Sequence, residues 1–276
     1  MVGDYHRIAY TEWGDEWAER TVVCVHGMVR NSRDFDALAE RLSVQGGYRA
    51  ACPDMPGRGE SDWLVNPAHY SNAQYALDCV ALIARLDVDQ VDWIGTSMGG
   101  LIGMMLAAQP RSPIRRLVLN DVGPVLTKEA LERIKSYVGV DQAFDTLNDL
   151  EAYMRQIYAS LGPLTHAQWR HLARHWERRR PDGKIAPNYD LAIGLPLQQG
   201  PIEDVVLWPM WDQIRCPVLV LRGAQSDVLM RETAEEMTRR GPRAEFVEFP
   251  DCGHVPPLMN DEQISVIEHW LGGEKP

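Results

Sequence analysis

Short β-branched apolar runs alternate with longer helix-period segments along most of this 276-residue chain, and that rhythm constrains the fold more than any other feature. It predicts a parallel sheet with crossover helices on both faces, an α/β class. Residues 6–10, 21–25, 48–52, 91–94, 114–120, 218–222 and 245–249 read as strands. Several are nearly continuous in apolar residues, as strands covered on both faces must be. Helical spacing fills residues 34–42, 72–86, 98–108, 231–240 and 262–271. At 45% hydrophobic residues, the chain can bury one sizeable core.

The rhythm breaks between residues 123 and 210, where helical signals and many aromatic residues occur without a convincing strand. An insertion is expected there, dividing a core of residues 1–122 and 211–276. Ligands of open α/β sheets bind beyond the carboxyl ends of the strands. An insertion at that edge supplies walls for such a pocket, and Met154, Tyr158, Trp176 and Trp208 are candidate lining residues. Most of its other aromatics are expected simply to pack.

Charge narrows the choice of partner. The net charge of −11, from 28 basic and 39 acidic residues, gives no field that attracts nucleic acid or an anionic membrane. The basic run Arg178-Arg179-Arg180 precedes Pro181-Asp182-Gly183 and reads as a solvated helix end. Five cysteines, scattered and without Cys-x-x-Cys spacing, argue against a disulfide framework or zinc site. With no basic-then-apolar leader and no long apolar window, the expectation is a cytoplasmic protein acting on a small molecule. Monomer and homodimer are both open.

The chemistry concentrates at Gly95-Thr96-Ser97-Met98-Gly99, between an apolar strand and a helix. This G-x-S-x-G pattern in its strand–turn–helix context predicts an exposed nucleophilic serine, Ser97, above orphan helix N–H groups. Small neighbours let the chain turn sharply and pass closely. A serine needs a base and the base needs an orienting carboxylate. His254, after the last strand, is the expected base. Asp227, after the preceding strand, is the expected acid, because the order Ser97, Asp227, His254 suits such a triad. Asp121, ending the strand over 114–120 at the same edge, is the rival. The backbone N–H groups of Met98 and of Met28, in the turn after the strand over 21–25, are the expected oxyanion donors.

The turn at His26-Gly27, the run Asp54-Met55-Pro56-Gly57-Arg58-Gly59-Glu60-Ser61, the elbow, the Gly223-to-Asp227 loop and Cys252-Gly253-His254 together resemble the α/β-hydrolases, nearest to bacterial carboxylesterases. The resemblance spans nearly the whole chain. It implies a mostly parallel eight-stranded sheet, a helical cap over residues 123–210, no metal or organic cofactor, and acyl transfer through Ser97. Serine at the elbow departs from the aspartate of epoxide hydrolases and haloalkane dehalogenases. The turn His26-Gly27-Met28-Val29-Arg30 departs from the glycine-rich turn of proline iminopeptidases and carbon–carbon bond hydrolases.

The expected activity is hydrolysis of a carboxylic ester, lactone or thioester of a small, largely apolar substrate. A carbon–carbon bond hydrolase of ring-cleavage products and a slow-turnover ligand-binding receptor are the alternatives. His171 and His175, with His166 nearby, could form a metal site, but exposed helix histidines are the commoner case. Arg30, placed at the pocket mouth, could pair a substrate carboxylate, although a solvated arginine is the simpler expectation.

Overall fold

The computed structural model describes residues 5–274. In chain order the first half runs β1 (Tyr10–Trp13), β2 (Arg20–Val25), α1 (Asp36–Val44), β3 (Tyr48–Pro53), α2 (Asn72–Arg85), β4 (Val91–Thr96), α3 (Met98–Ala107) and β5 (Ile114–Asn120). Next come β6 (Val125–Leu126), α4 (Lys128–Lys135), α5 (Leu147–Ile157), α6 (His166–Trp176), β7 (Glu177–Arg179), β8 (Ile185–Pro187), α7 (Leu195–Gln198), β9 (Val205–Val206) and α8 (Trp208–Trp211). The chain closes with β10 (Val218–Gly223), α9 (Arg231–Met237), β11 (Glu245–Phe249) and α10 (Asp261–Gly272).

Seven strands form the central sheet in the order β1-β3-β2-β4-β5-β10-β11, all parallel except the antiparallel edge strand β1. The expected α/β class holds, with seven strands among the described residues rather than eight. The first strand starts at Tyr10 rather than residue 6. Residues 7 and 9 instead bond to the 54–62 turn, the Arg7 amide to Asp62 at 2.8 Å and the Ala9 amide to the Ser61 hydroxyl at 2.8 Å. Every residue of β10 is buried, as are all but the first of β2, whereas the edge strand β11 is mostly half-buried. The apolar runs therefore mark sheet interior.

Two apolar clusters cover the two faces. Leu38 and Leu42 of α1 meet Ile264, Ile267 and Leu271 of α10 on one side. Ile102 of α3, Leu82 and Ile83 of α2 and Met237 of α9 fill the other, which continues into Leu150, Met154 and Trp176 of the 123–210 stretch. Helix ends carry the chemistry their sequences suggest: Ser71 caps α2, and Thr146 and Thr165 begin full capping boxes on α5 and α6.

The 123–210 stretch adds no strand to the central sheet. Its small strands form two ribbons, β7 with β8 and β6 with β9. The second ribbon joins the stretch's beginning to its end. All five cysteines are free thiols. Among the described residues, no helix is long and apolar enough to cross a membrane.

Candidate active site

Strand β4 ends at Thr96 and helix α3 begins at Met98, leaving Ser97 alone to make the turn. Its φ of 50° and ψ of −111° lie where a non-glycine residue is strained. Close packing holds it there. A Cβ on Gly95 would stand 2.3 Å from the Gly99 carbonyl oxygen, and one on Gly99 would stand 2.0 Å from the Val25 carbonyl oxygen. The Ser97 amide donates to the Asn120 carbonyl at 3.0 Å, and the Asn120 side chain donates to Thr96 Oγ1 at 3.1 Å and the Pro256 carbonyl at 2.9 Å. One residue at the end of β5 thus ties the elbow to the loop that carries His254.

Here the sequence expectation for the acid is corrected. His254 Nδ1 lies 2.6 Å from Oδ2 of Asp121, not against Asp227. Asp121 is fully buried, and its carboxylate also accepts from the Gly223 amide at 3.0 Å and the Ser226 hydroxyl at 2.5 Å. Asp227 turns outward: its side chain is half exposed and forms an ion pair with Arg133 of α4. The loop expected to bring the acid instead brings the Ser226 hydroxyl, which holds Asp121.

Met98 is the first residue of α3, so its N–H has no acceptor within the helix. The Met28 amide sits in a turn closed by the Arg30 amide on the Gly27 carbonyl at 3.2 Å. His26, entirely buried, bonds the same carbonyl through Nδ1 at 2.7 Å, while its Nε2 accepts from the Met55 amide at 3.0 Å. The acceptor role of Nε2 places the ring proton on Nδ1. Because the peptide is planar and trans, fixing the Gly27 C=O aims the Met28 N–H the opposite way. His26 is thus a brace for the expected oxyanion donor.

Burial holds the His26 imidazole neutral, with its pKa lowered from 6.5 to about 3. In the unfolded chain it protonates at its ordinary value. Stability from this group is therefore complete above pH 6.5 and declines as pH falls toward 3, by on the order of 5 kcal/mol at the acid limit. Urea midpoints measured between pH 7 and pH 4 should fall steadily in the wild type. The slope should be shallower in His26→Asn, and equal slopes would remove this assignment.

Ser97, His254, Met28 and Met98 line a cavity of about 140 Å³. Its other walls are mainly apolar: Leu126, Leu131 and Ile134 near α4, Leu161 and Leu172 of the 123–210 stretch, and the segment Val255 to Met259. Of the candidate lining residues, Arg30 and Tyr158 are present and Met154, Trp176 and Trp208 are not. Met154 is fully buried in the core. Trp176 is buried behind the cavity, donating its ring N–H to the Val29 carbonyl at 2.7 Å. Trp208 packs beneath the guanidinium of Arg240, 4.8 Å from the ring. The aliphatic walls carried no signal distinguishing them from ordinary packing.

Of the three histidines considered for a metal, His171 and His175 meet Asp36 rather than His166. The Asp36 carboxylate is already held by Arg33, at 2.5 to 2.9 Å, and His171 Nε2 lies 3.0 Å from the Arg33 carbonyl. His166 lies against Glu151 and Arg155.

Sequence and structure comparisons agree with this architecture. The sequence profile of the alpha/beta hydrolase family matches residues 22–265. A 3-hydroxybutyrate-oligomer hydrolase of Cupriavidus necator is 46% identical over 276 residues, covering 97% of this chain and 94% of that protein. A 2-(acetamidomethylene)succinate hydrolase of Mesorhizobium japonicum is 26% identical over 230 residues, 83% of this chain and 79% of that protein. Among solved structures, an alpha/beta hydrolase from Novosphingobium aromaticivorans has a TM-score of 0.87 at 38% identity, over 97% of this chain and 94% of that chain.

Proposed function

This chain belongs to the α/β hydrolase family, and from that premise we propose that it is a serine hydrolase of small carboxylic esters, with Ser97, His254 and Asp121 as its triad. The observation that carries this reading is the 2.6 Å contact of His254 with buried Asp121 at the cavity where Ser97 stands in its strained turn.

Asp121 accepts a hydrogen bond from the Nδ1–H of His254, which leaves Nε2 as the base. His254 takes the hydroxyl proton as Ser97 attacks the ester carbonyl, the Met28 and Met98 amides hold the oxyanion, and the protonated imidazole then protonates the leaving alcohol. Water attacks the acyl-enzyme with His254 again as base, and the acid leaves. Residues 123–210 act as the cap, setting the acyl group admitted through Leu126, Leu131, Ile134 and Leu161.

A cavity near 140 Å³ matches one that takes up a benzene-sized body, so it accommodates an acyl group of about six non-hydrogen atoms. A 3-hydroxybutyryl group is that size. Together with the activity named for the Cupriavidus necator relative, this makes short oligoesters of 3-hydroxybutyrate the substrate class of choice. A fluorophosphonate probe is expected to label wild-type protein once, at Ser97, and to leave Ser97→Ala unlabelled, while the wild type releases monomer from the 3-hydroxybutyrate dimer. Absence of both labelling and cleavage across esters, thioesters and lactones would overturn the reading. Tight binding with turnover below about one per minute, against a median enzyme rate near 10 per second, would make the chain a receptor instead.

A further inference from the structure

Arg30 is not solvated. Its side chain is 12% exposed, and its Nε and one terminal nitrogen bond Asp34 at 2.9 and 2.5 Å. The guanidinium lies 5.5 Å from the ring centre of Tyr158 and 5.4 Å from that of Trp176. The other terminal nitrogen and the Tyr158 hydroxyl are buried side by side, and neither meets a hydrogen-bond acceptor of good geometry elsewhere among the described residues. Arg30 and Tyr158 both line the cavity that holds Ser97 and His254. Burial pushes the Tyr158 phenol well above its ordinary pKa, so it stays an O–H donor.

Even where the Tyr158 oxygen accepts from Arg30, the pair keeps donor hydrogens without an acceptor in a mainly apolar cavity, which is costly unless a ligand supplies one. Asp34 occupies the Nε edge of the guanidinium, leaving the other terminal nitrogen without a carboxylate, and a planar guanidinium can serve a second carboxylate there. A charged acceptor gains most, because such hydrogen bonds are roughly twice as strong as neutral ones. We propose that Arg30 and Tyr158 form a subsite for a free carboxylate of the substrate, so that the enzyme selects esters bearing one. This rests on the ester-hydrolase reading above and adds which ester it prefers.

The test compares cleavage of the internal ester in the 3-hydroxybutyrate dimer with that in its methyl ester, which masks the carboxylate, and uses 4-nitrophenyl acetate as a simple ester. For the wild type, kcat/KM is expected to favour the free acid by about 10- to 100-fold. Tyr158→Phe should lower that preference several-fold through KM. The double variant Arg30→Gln with Asp34→Asn, which leaves no unpaired buried carboxylate, should bring the ratio near one. A purely structural role for these residues would change both substrates together and leave the ratio fixed. Cleavage of 4-nitrophenyl acetate with equal rates on acid and methyl ester, or variants that keep the ratio, would overturn the subsite alone. Failure to cleave any of the three would overturn the subsite, and absence of fluorophosphonate labelling and of thioester and lactone cleavage as well would overturn the ester-hydrolase reading with it.

Discussion

Asp121→Asn is expected to lower kcat by about 10⁴-fold, whereas Asp227→Asn should leave turnover within about twofold, as for an ordinary surface substitution. The contrast follows from hydrogen-bond direction. The Gly223 amide donates to one oxygen of Asp121, and Ser226 and His254 face the other. An asparagine would keep its oxygen toward Gly223 and present its NH2 to His254. The imidazole would then have to turn Nδ1 into an acceptor and carry its proton on Nε2. In that tautomer it cannot take a proton from Ser97. Asp227 has no such position, since its carboxylate is half exposed beside Arg133. Steady-state kinetics on both variants, with thermal melts to establish folding, decide the matter. A large loss for Asp227→Asn with little for Asp121→Asn would return the acid to the loop after β10.

The confusion between these two aspartates marks where local sequence stops being informative. The elbow was legible because everything that forms it is contiguous: an apolar strand, three small residues around Ser97 and a helix start. His254 was legible for the same reason, following a strand at the correct edge. The carboxylate that His254 meets was not, because β5 and β10 are neighbours in the sheet, with Asn120 beside Leu221. Both following loops therefore end near His254, and chain order cannot say which carboxylate turns inward. That depends on Ser226 and Gly223 satisfying Asp121, and on Arg133, far away in sequence, drawing Asp227 outward. The cavity wall was illegible for a different reason. Large aromatics such as Trp176 have enough area and one ring donor to bridge elements, so Trp176 serves as an internal fastener, while many plain aliphatic residues face the ligand space beside Phe35, Tyr137 and Tyr158. The burial of Arg30 likewise depends on Asp34, Tyr158 and Trp176 converging from separate elements.

Arg58→Met is expected to reduce kcat by about 100-fold with a much smaller change in KM, although Arg58 touches no reacting atom. The turn of residues 54–61 delivers this side chain inward, leaving it 1% exposed. Its Nε donates to the Met28 carbonyl at 2.7 Å, one terminal nitrogen reaches the Pro56 carbonyl and the Tyr75 hydroxyl, both at 2.7 Å, and the other lies 3.5 Å from Met98 Sδ. It is thus a positioning residue spanning both proposed oxyanion donors. His26 and the Arg30 amide fix the Gly27 carbonyl on one side of Met28, and Arg58 fixes the Met28 carbonyl on the other. Without the guanidinium, the residue between them can rotate, and a displacement of its N–H by about 1 Å forfeits most of what an oxyanion donor contributes. The oxyanion exists only in the transition state, so the loss falls on kcat. Arg58→Lys, which keeps the charge but can satisfy fewer of these acceptors, should recover folding more fully than rate. Kinetics on both variants below their melting temperatures provide the check. Wild-type kcat in a folded Arg58→Met protein would reduce Arg58 to a packing element and detach the 54–61 turn from the chemistry.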